Sequence, residues 1–498
     1  MIPLFKVFMA PDVLKPLGEV LYSGYITQGK QVEKFEDQLR ERLQHPYVLT
    51  LNSGTSGLTL ALRMLDLPAG SEVLCTALTC TATNWAVLAN GLHIKWVDTE
   101  PNSPLMDLVD LKSKITSNTK AILVVHWGGE SLNMSRLNGI RDTYGIPIIE
   151  DCAHAFGIFN DENFIGLSGN ISVYSFQAIK TLTAGDGGLI ILPTQKQYDR
   201  AKLLRWFGIS RECPKNAVDF RMEHDIEEWG YKFHMNDINA TIGIANLPFV
   251  DTNLCASIRL REFYNERLSQ LDGYVRILSP GTWLYTISVP DKPGFMAFMR
   301  EKGVSTSQVH QRNDIHSCVA QYKTVLPNLT NLEKTMVCIP MGWWVTQKES
   351  EYIVNCIAQY VSFRIRKLTP TDCIKHYMDL LYQLNGHRII ISQQEFVHKF
   401  DDLSGDIYVC TNYVNQMIGT VTVLVQNKIG DSVIHLEDIV VDEHWRGFGF
   451  GKRMVIEISK LYAKEGHKIV LSCKPGLRNF YNSCGFVEDG IAFVKRNC

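Results

Sequence analysis

Ile171-Ser172-Val173-Tyr174-Ser175-Phe176-Gln177-Ala178-Ile179-Lys180 is the stretch on which the fold turns. A strand pattern runs into a single lysine, and Gly185-Asp186-Gly187-Gly188 follows as a glycine-rich turn. A lysine leaving a strand end in an apolar setting has a depressed pKa and can act as a nucleophile toward carbonyls. Alone, the pattern also describes a surface lysine. Upstream, Ile148-Ile149-Glu150-Asp151-Cys152-Ala153-His154 is an apolar strand ending in acid. That places Asp151 in the crevice at the carboxyl end of a parallel sheet, where a carboxylate can hold a pyridine nitrogen protonated. A helix-capping Asp is an equal reading of that segment alone.

Further out, Asn52-Ser53-Gly54-Thr55-Ser56-Gly57 precedes the helical run of residues 58–65. Small residues at a helix start let backbone N–H groups approach an anion. Gly230-Tyr231-Lys232-Phe233-His234-Met235-Asn236-Asp237 is a polar loop entering a helix. Residues 30–43 are patterned as an amphipathic helix. Short apolar runs at Val73–Leu74, Ala121–Val125, Pro147–Ile149 and Leu189–Leu192 predict a largely parallel sheet covered by helices. Residues 250–360, with helices expected at Ile258–Leu271 and Lys348–Tyr360, suit a smaller α+β lobe.

In this order the segments resemble the DegT/DnrJ/EryC1/StrS family of pyridoxal-phosphate sugar aminotransferases over residues 3–360. The resemblance implies an α/β fold of the aspartate-aminotransferase type (fold type I), and a homodimer with active sites at the subunit interface. It makes Lys180 the Schiff-base lysine for pyridoxal 5′-phosphate and Asp151 the partner of the pyridine nitrogen. His154, where relatives usually carry Gln, lies near the ring hydroxyl. Gly54, Thr55, Ser56 and Ser175 hold the phosphate. Cys80 stands where many relatives stack an aromatic ring, and a polarizable thiol can cover that face. His234 stands where many relatives place an Asn that reaches the phosphate of the neighbouring subunit, and His234 or Asn236 takes that contact. His310 and Arg312 fall in a substrate-facing loop. Related sugar dehydratases carry histidine in place of the lysine, so Lys180 favours transamination, with glutamate as amino donor.

A second αβ pattern starts near Ser362–Thr369. It runs through a helix at Thr371–Gln383, strands at Asp406–Cys410, Gly419–Gln426 and His435–Val441, a helix at 449–465 and a strand at Lys468–Cys473. The division is expected at 1–361 (large domain 1–250, small lobe 251–361) and 362–498. The linker is short and not Gly/Ser-rich, which suits domains packed together. His435-Leu436-Glu437-Asp438-Ile439-Val440-Val441 is followed by Arg446-Gly447-Phe448-Gly449-Phe450-Gly451-Lys452. Such a loop offers backbone N–H groups at a helix start to a pyrophosphate. Asn479-Phe480-Tyr481-Asn482-Ser483-Cys484-Gly485-Phe486 comes later.

This half resembles the GNAT acetyltransferases, with similarity to glucosamine-6-phosphate N-acetyltransferases over 362–498. The resemblance implies a mixed, splayed sheet. Ile439, Val440 and Val441 hold the pantetheine arm of acetyl-CoA. Arg446, Gly447, Gly449, Gly451 and Lys452 hold the pyrophosphate, Tyr481 protonates the departing thiolate, and Glu437 and Asp438 face the amino sugar. Ser472 and Leu477 replace the Asp and Asn usual in those relatives, which points away from glucosamine 6-phosphate as acceptor.

Composition agrees with an enzyme of the cytoplasm. The 498 residues carry a formal charge of −2, so no basic footprint points to nucleic acid or anionic membrane. Thirteen cysteines show no C-x-x-C spacing, so no metal site is expected and free thiols are. No signal peptide or membrane span is expected. Together, one half would make a sugar amine and the other consume it. A nucleotide-linked keto-6-deoxy sugar would be aminated, at C4, and then N-acetylated. Two other readings stay open: unlinked activities, with the C-terminal half acetylating glucosamine 6-phosphate or another amine, and a non-catalytic cofactor-binding sensor or scaffold.

Overall fold

The computed structural model describes residues 1–160, 163–210, 225–271, 273–387, 390–400, 402, 405–427, 432–463 and 467–488. Two compact units emerge. One comprises Met1–Glu266, Ile277–Ser288 and Gly303–Ser350; the other comprises Arg267–Arg276, Val289–Lys302 and Glu351–Cys498.

The first unit is built on seven strands: β1 (Val48–Leu51), β2 (Glu72–Thr76), β3 (His93–Val97), β4 (Thr119–Val125), β5 (Ile148–Asp151), β6 (Ile171–Ser175) and β7 (Gly188–Ile191). Their order is β1-β7-β6-β5-β4-β2-β3. Strands β2 to β6 run parallel, while β7 pairs antiparallel with both β6 and β1. The carboxyl ends of β1, β2, β4, β5 and β6 therefore share one edge, and the loops leaving them converge there. Side chains alternate across the sheet. Val48, Tyr174, Leu189 and Ile191 enter a core with Phe35 and Leu39, whereas Leu49, Leu51, Val173 and Ile190 enter the other. The helix Lys30–Leu43 matches the predicted boundaries and buries Val32, Phe35, Leu39 and Leu43 on one face. A three-stranded sheet follows, with β8 (Arg276–Pro280), β9 (Tyr285–Ser288) and β10 (Met336–Ile339) in the order β10-β9-β8. The helix expected at Ile258–Leu271 is longer at its start, covering Val250–Ser269.

In the second unit, β11 (Phe363–Lys367), β12 (Asp406–Asn412), β13 (Met417–Gln426), β14 (Val433–Val441) and β15 (Lys468–Leu471) form a sheet in that order. Strands β11 to β14 are antiparallel neighbours and β14–β15 is parallel. The parallel pairing covers Val433–Leu436 alone, because β15 is four residues long, so the rest of β14 extends past it. The helix Ile374–Asn385 closes one face around Leu368, Tyr377, Leu380 and Val409. Strand β11 and the helix Gln393–Phe400 extend the elements expected from sequence. Among the described residues, no helix is long and apolar enough to cross a membrane, and the described cysteines are free thiols.

Candidate active sites

Asp151 is the last residue of β5 and Ser175 the last of β6. In the parallel pairing of these strands Asp151 stands opposite Val173, two residues before Ser175, so both strand ends reach the shared edge. Asp151 is buried, and burial pushes its carboxyl pKa up. Thr83 Oγ1 donates to Asp151 Oδ2 at 2.7 Å and Ala153 N to Oδ1 at 3.1 Å, which oppose the rise, as does the charge of Lys180. Thr83 spends its proton on Asp151, so Thr79, 2.9 Å away, donates in turn to Thr83.

Lys180 lies in the turn after β6. Burial pulls its ammonium down to about 8, against the opposing influence of Asp151 and Cys80. Its Nζ stands 3.9 Å from the centroid of Trp283. Trp283 is pinned by a 3.0 Å bond from its Nε1 to the Ile179 carbonyl, and His154 stacks on it at 3.9 Å. Gly128 N donates to His154 Nδ1 at 3.2 Å. Burial, with Lys180 nearby, holds the His154 pKa well below its ordinary range. A neutral ring that accepts at Nδ1 carries its proton on Nε2. His154 is thus a donor at Nε2.

The helix Gly54–Arg63 starts at the same edge. Ser53 caps it by accepting from Ser56 N at 3.0 Å. A Cβ on Gly54 would lie 3.1 Å from Ser175 Cβ, so only glycine lets the helix start approach the β6 end this closely. Cys80 is exposed at the start of the helix Thr81–Ala89. The loop carrying His310 and Arg312 docks on that segment. Asn313 N donates to the Ala77 carbonyl at 2.8 Å, and Asn313 Nδ2 to the Thr79 carbonyl at 3.1 Å. His310 stacks parallel to His154 with centroids 5.9 Å apart. Burial lowers its pKa to about 4, helped by Lys180, and its Nε2 has no hydrogen-bond partner among the described residues. Arg312 is engaged otherwise. Its fork meets Asp314 through two 2.7 Å bonds, and its Nη1 donates to Thr330 at 2.9 Å. His234 lies beside β1, with Nε2 3.3 Å from Thr27 Oγ1 and its ring edge-on to Trp206. Asn236 caps the helix Asp237–Asn246 by accepting from Asn239 N at 2.8 Å.

The second unit assembles its own site. The pairing of β13 with β14 shifts between Thr420 and Thr422, and opposite that shift Asp438 adopts φ +47°. Thr422 Oγ1 donates to Asp438 Oδ2 at 3.1 Å. A bulge of this kind re-aims backbone groups, here next to Ile439–Val441, beyond the end of β15. In the loop beyond, Gly447 and Gly449 are exposed with positive φ, while Phe448 and Phe450 are buried. The two phenylalanines anchor the loop and the glycines face solvent ahead of the helix Phe450–Ala463. Gly451 fits against Val441 Cγ2 and Phe480. Arg446 turns back, its Nε donating to the Val441 carbonyl at 2.7 Å. Tyr481 is buried, and burial raises its phenol pKa, followed by Cys473 and Cys484. Glu437, Asp438 and Lys452 are exposed.

The family model of the DegT/DnrJ/EryC1/StrS aminotransferases matches residues 9–358. The chain belongs to that family. A second model, the acetyltransferase (GNAT) domain, matches residues 404–488. The solved structure of AtS13 from Actinomadura melliaura is 44% identical, with a TM-score of 0.68, covering 72% of this chain and 98% of AtS13. The sugar aminotransferase CalS13 from Micromonospora echinospora is 41% identical, with a TM-score of 0.68, covering 72% and 99%. GDP-perosamine synthase of Escherichia coli O157:H7 is 31% identical over 271 residues, 54% of this chain and 72% of the synthase.

This aminotransferase of the DegT/DnrJ/EryC1/StrS family uses pyridoxal phosphate, and its GNAT domain uses acetyl-CoA. The residues present fit the first group: a buried acid, a lysine with a lowered pKa, a neutral imidazole donor and a helix that opens on glycine. Trp283, Thr83 and Gly128 were not legible in sequence. Trp283 and Gly128 are remote from Lys180 along the chain and carry no local motif. Thr83 had a weak signal in the i,i+4 spacing of Thr79 and Thr83 at a helix start.

Proposed function

We propose that this chain aminates a nucleotide-linked 4-keto-6-deoxy sugar with glutamate as donor, and then N-acetylates the amine it has made. The observation that carries the reading is the convergence of Lys180, Asp151, His154 and His310 at one sheet edge of a chain that also holds an acetyltransferase domain. Relatives named GDP-perosamine synthase support a nucleotide-linked sugar as substrate. The reading includes a homodimer in the cytoplasm and a division into 1–361, with a large domain 1–250 and a small lobe 251–361, and 362–498.

Bound pyridoxal phosphate supplies an electrophilic carbon and an electron sink. Asp151 holds the negative charge that faces the ring nitrogen. His154 donates from Nε2 toward the ring hydroxyl. Gly54, Thr55, Ser56 and Ser175 would bind the phosphate, Cys80 would cover the ring, and His234 or Asn236 would meet the phosphate across the dimer. Lys180 Nζ, 3.9 Å from the Trp283 ring centroid, takes up and returns the proton leaving the substrate carbon. His310 Nε2 contacts the sugar; Arg312 shapes that loop through Asp314. In the second site Ile439, Val440 and Val441 hold the pantetheine arm, and Arg446, Gly447, Gly449, Gly451 and Lys452 border the pyrophosphate. Glu437 and Asp438 face the amino sugar. The neutral amine attacks the thioester carbonyl, the C–S bond breaks, Tyr481 protonates the sulfur, and the proton shed by the acylated nitrogen restores the Tyr481 phenol. A raised phenol pKa keeps Tyr481 protonated for that task.

The test is mass spectrometry of the full-length enzyme with a panel of keto-sugar nucleotides, glutamate and acetyl-CoA. The expected products are an amino sugar without acetyl-CoA and its acetamide with it. Acetylation of glucosamine 6-phosphate in preference to the new amine would show that the activities are unlinked.

A further inference from the structure

We propose that Arg276, which lies in the aminotransferase-family segment of the chain, is a positioning residue for the diphosphate of acetyl-CoA. The inference rests on reading Arg446–Gly451 as the diphosphate loop.

Residues 267–276 belong to the same compact unit as the acetyltransferase sheet, and Gly273, Tyr274 and Arg276 form a wall against that loop. Arg276 Nη2 donates to the Gly447 carbonyl, and the guanidinium lies 5.2 Å from the Phe448 ring centroid. A Cβ on Gly449 would meet the Gly273 carbonyl oxygen at 3.2 Å. Tyr274 packs its ring on Phe450 at 5.1 Å, and its hydroxyl accepts from Arg453 Nη1 at 3.0 Å. Both helix-start phenylalanines and both positive-φ glycines therefore touch this wall.

Two physical consequences follow. A guanidinium holding the Gly447 carbonyl fixes the orientation of the adjoining peptide, so the loop N–H groups are set before an anion arrives. Such preorganisation lowers the entropic cost of binding. Arg276 is also exposed, so its charge adds to the positive end of the helix Phe450–Ala463 where two phosphates are to be held. The matched GNAT segment, 404–488, does not include this residue.

The experiment uses the full-length enzyme and reads CoA binding by calorimetry, together with acetyl-transfer kinetics using acetyl-CoA and S-acetylpantetheine, which lacks the diphosphate. Arg276→Ala is expected to weaken CoA about tenfold and raise KM for acetyl-CoA, with kcat and turnover of S-acetylpantetheine unchanged. Arg276→Lys, which keeps the charge without the planar fork, should fall between. Unaltered CoA affinity in Arg276→Ala would overturn the proposal. So would an equal loss with S-acetylpantetheine or a lowered melting temperature, since either would mark general support of the domain. Gly449→Ala, within the loop itself, separates the two levels. If it also leaves CoA binding unchanged, the loop reading fails; if it weakens binding while Arg276→Ala does not, the role of Arg276 alone is refuted.

Discussion

Thr83→Val keeps the shape of a fully buried side chain while deleting the hydroxyl that donates to Asp151 at 2.7 Å. Among the described residues Asp151 accepts one other bond, from Ala153 N at 3.1 Å, so one of its two hydrogen-bond donors is lost in an environment that already disfavours the charge. A hydrogen bond to a charged group contributes about 1.5–3 kcal/mol. Losing it should push the carboxyl pKa further up. The same energy, lost from the interaction with a protonated ring nitrogen, weakens pyridoxal phosphate by roughly tenfold to a hundredfold. The hydroxyl of Thr79, 2% exposed, also loses its acceptor. Spectrophotometric titration of the apoenzyme with pyridoxal phosphate measures the affinity, and the glutamate half-reaction measures the rate. Cofactor affinity and half-reaction rate both within twofold of wild type would refute the reasoning, because Asp151 would then not depend on Thr83 for its charge.

Other outcomes follow from the same geometry. Lys180 Nζ must be neutral to accept a proton, and its pKa is about 8; kcat/KM for amination should climb with pH below that value and level off above it. A flat profile between about pH 6 and 9 would remove Lys180 from that role. Tyr481→Phe should cut acetyl transfer by about a hundredfold and leave amination intact, measured with acetyl-CoA and a pre-formed amino sugar. His310 binds its proton at about 4 when folded against an ordinary 6.5. The unfolded chain takes up a proton in that window that the folded chain does not, so stability falls as pH drops from 6.5 to 4 and is insensitive to this group above it. The full effect is about 3 kcal/mol, and His310→Gln should flatten this part of a urea-midpoint series against pH.

Much of the fold was legible because its signals are local. The amphipathic spacing of Val32, Phe35, Leu39 and Leu43 fixed a helix to the residue, and the apolar run 121–125 fell inside β4. Local patterning could not tell that β7 would run against β6, since a glycine turn permits either a hairpin or a crossover. The start of the helix Val250–Ser269 was missed because Asp251, Thr252 and Asn253 resemble a loop and are overridden by packing of Val250 and Leu254 into the core. At the site, Asp151 and Lys180 could be paired from strand-end positions. Trp283, Thr83 and the Asp314 clasp on Arg312 could not, because each depends on a tertiary contact or a side-chain choice that spacing does not encode. Arg276 is the extreme case: it precedes the loop it touches by 171 positions.

The proposed function joins amination and then acylation of the same nitrogen in one chain. The most direct measurement supplies the full-length enzyme with a nucleotide-linked keto sugar, glutamate labelled on nitrogen and acetyl-CoA labelled on the acetyl group, and reads the product by mass spectrometry. Both labels are expected in a single sugar, neither label with Lys180→Ala, and the nitrogen label alone with Tyr481→Phe at early times. Nitrogen-labelled sugar that never acquires the acetyl label in the wild-type enzyme would contradict the proposed function.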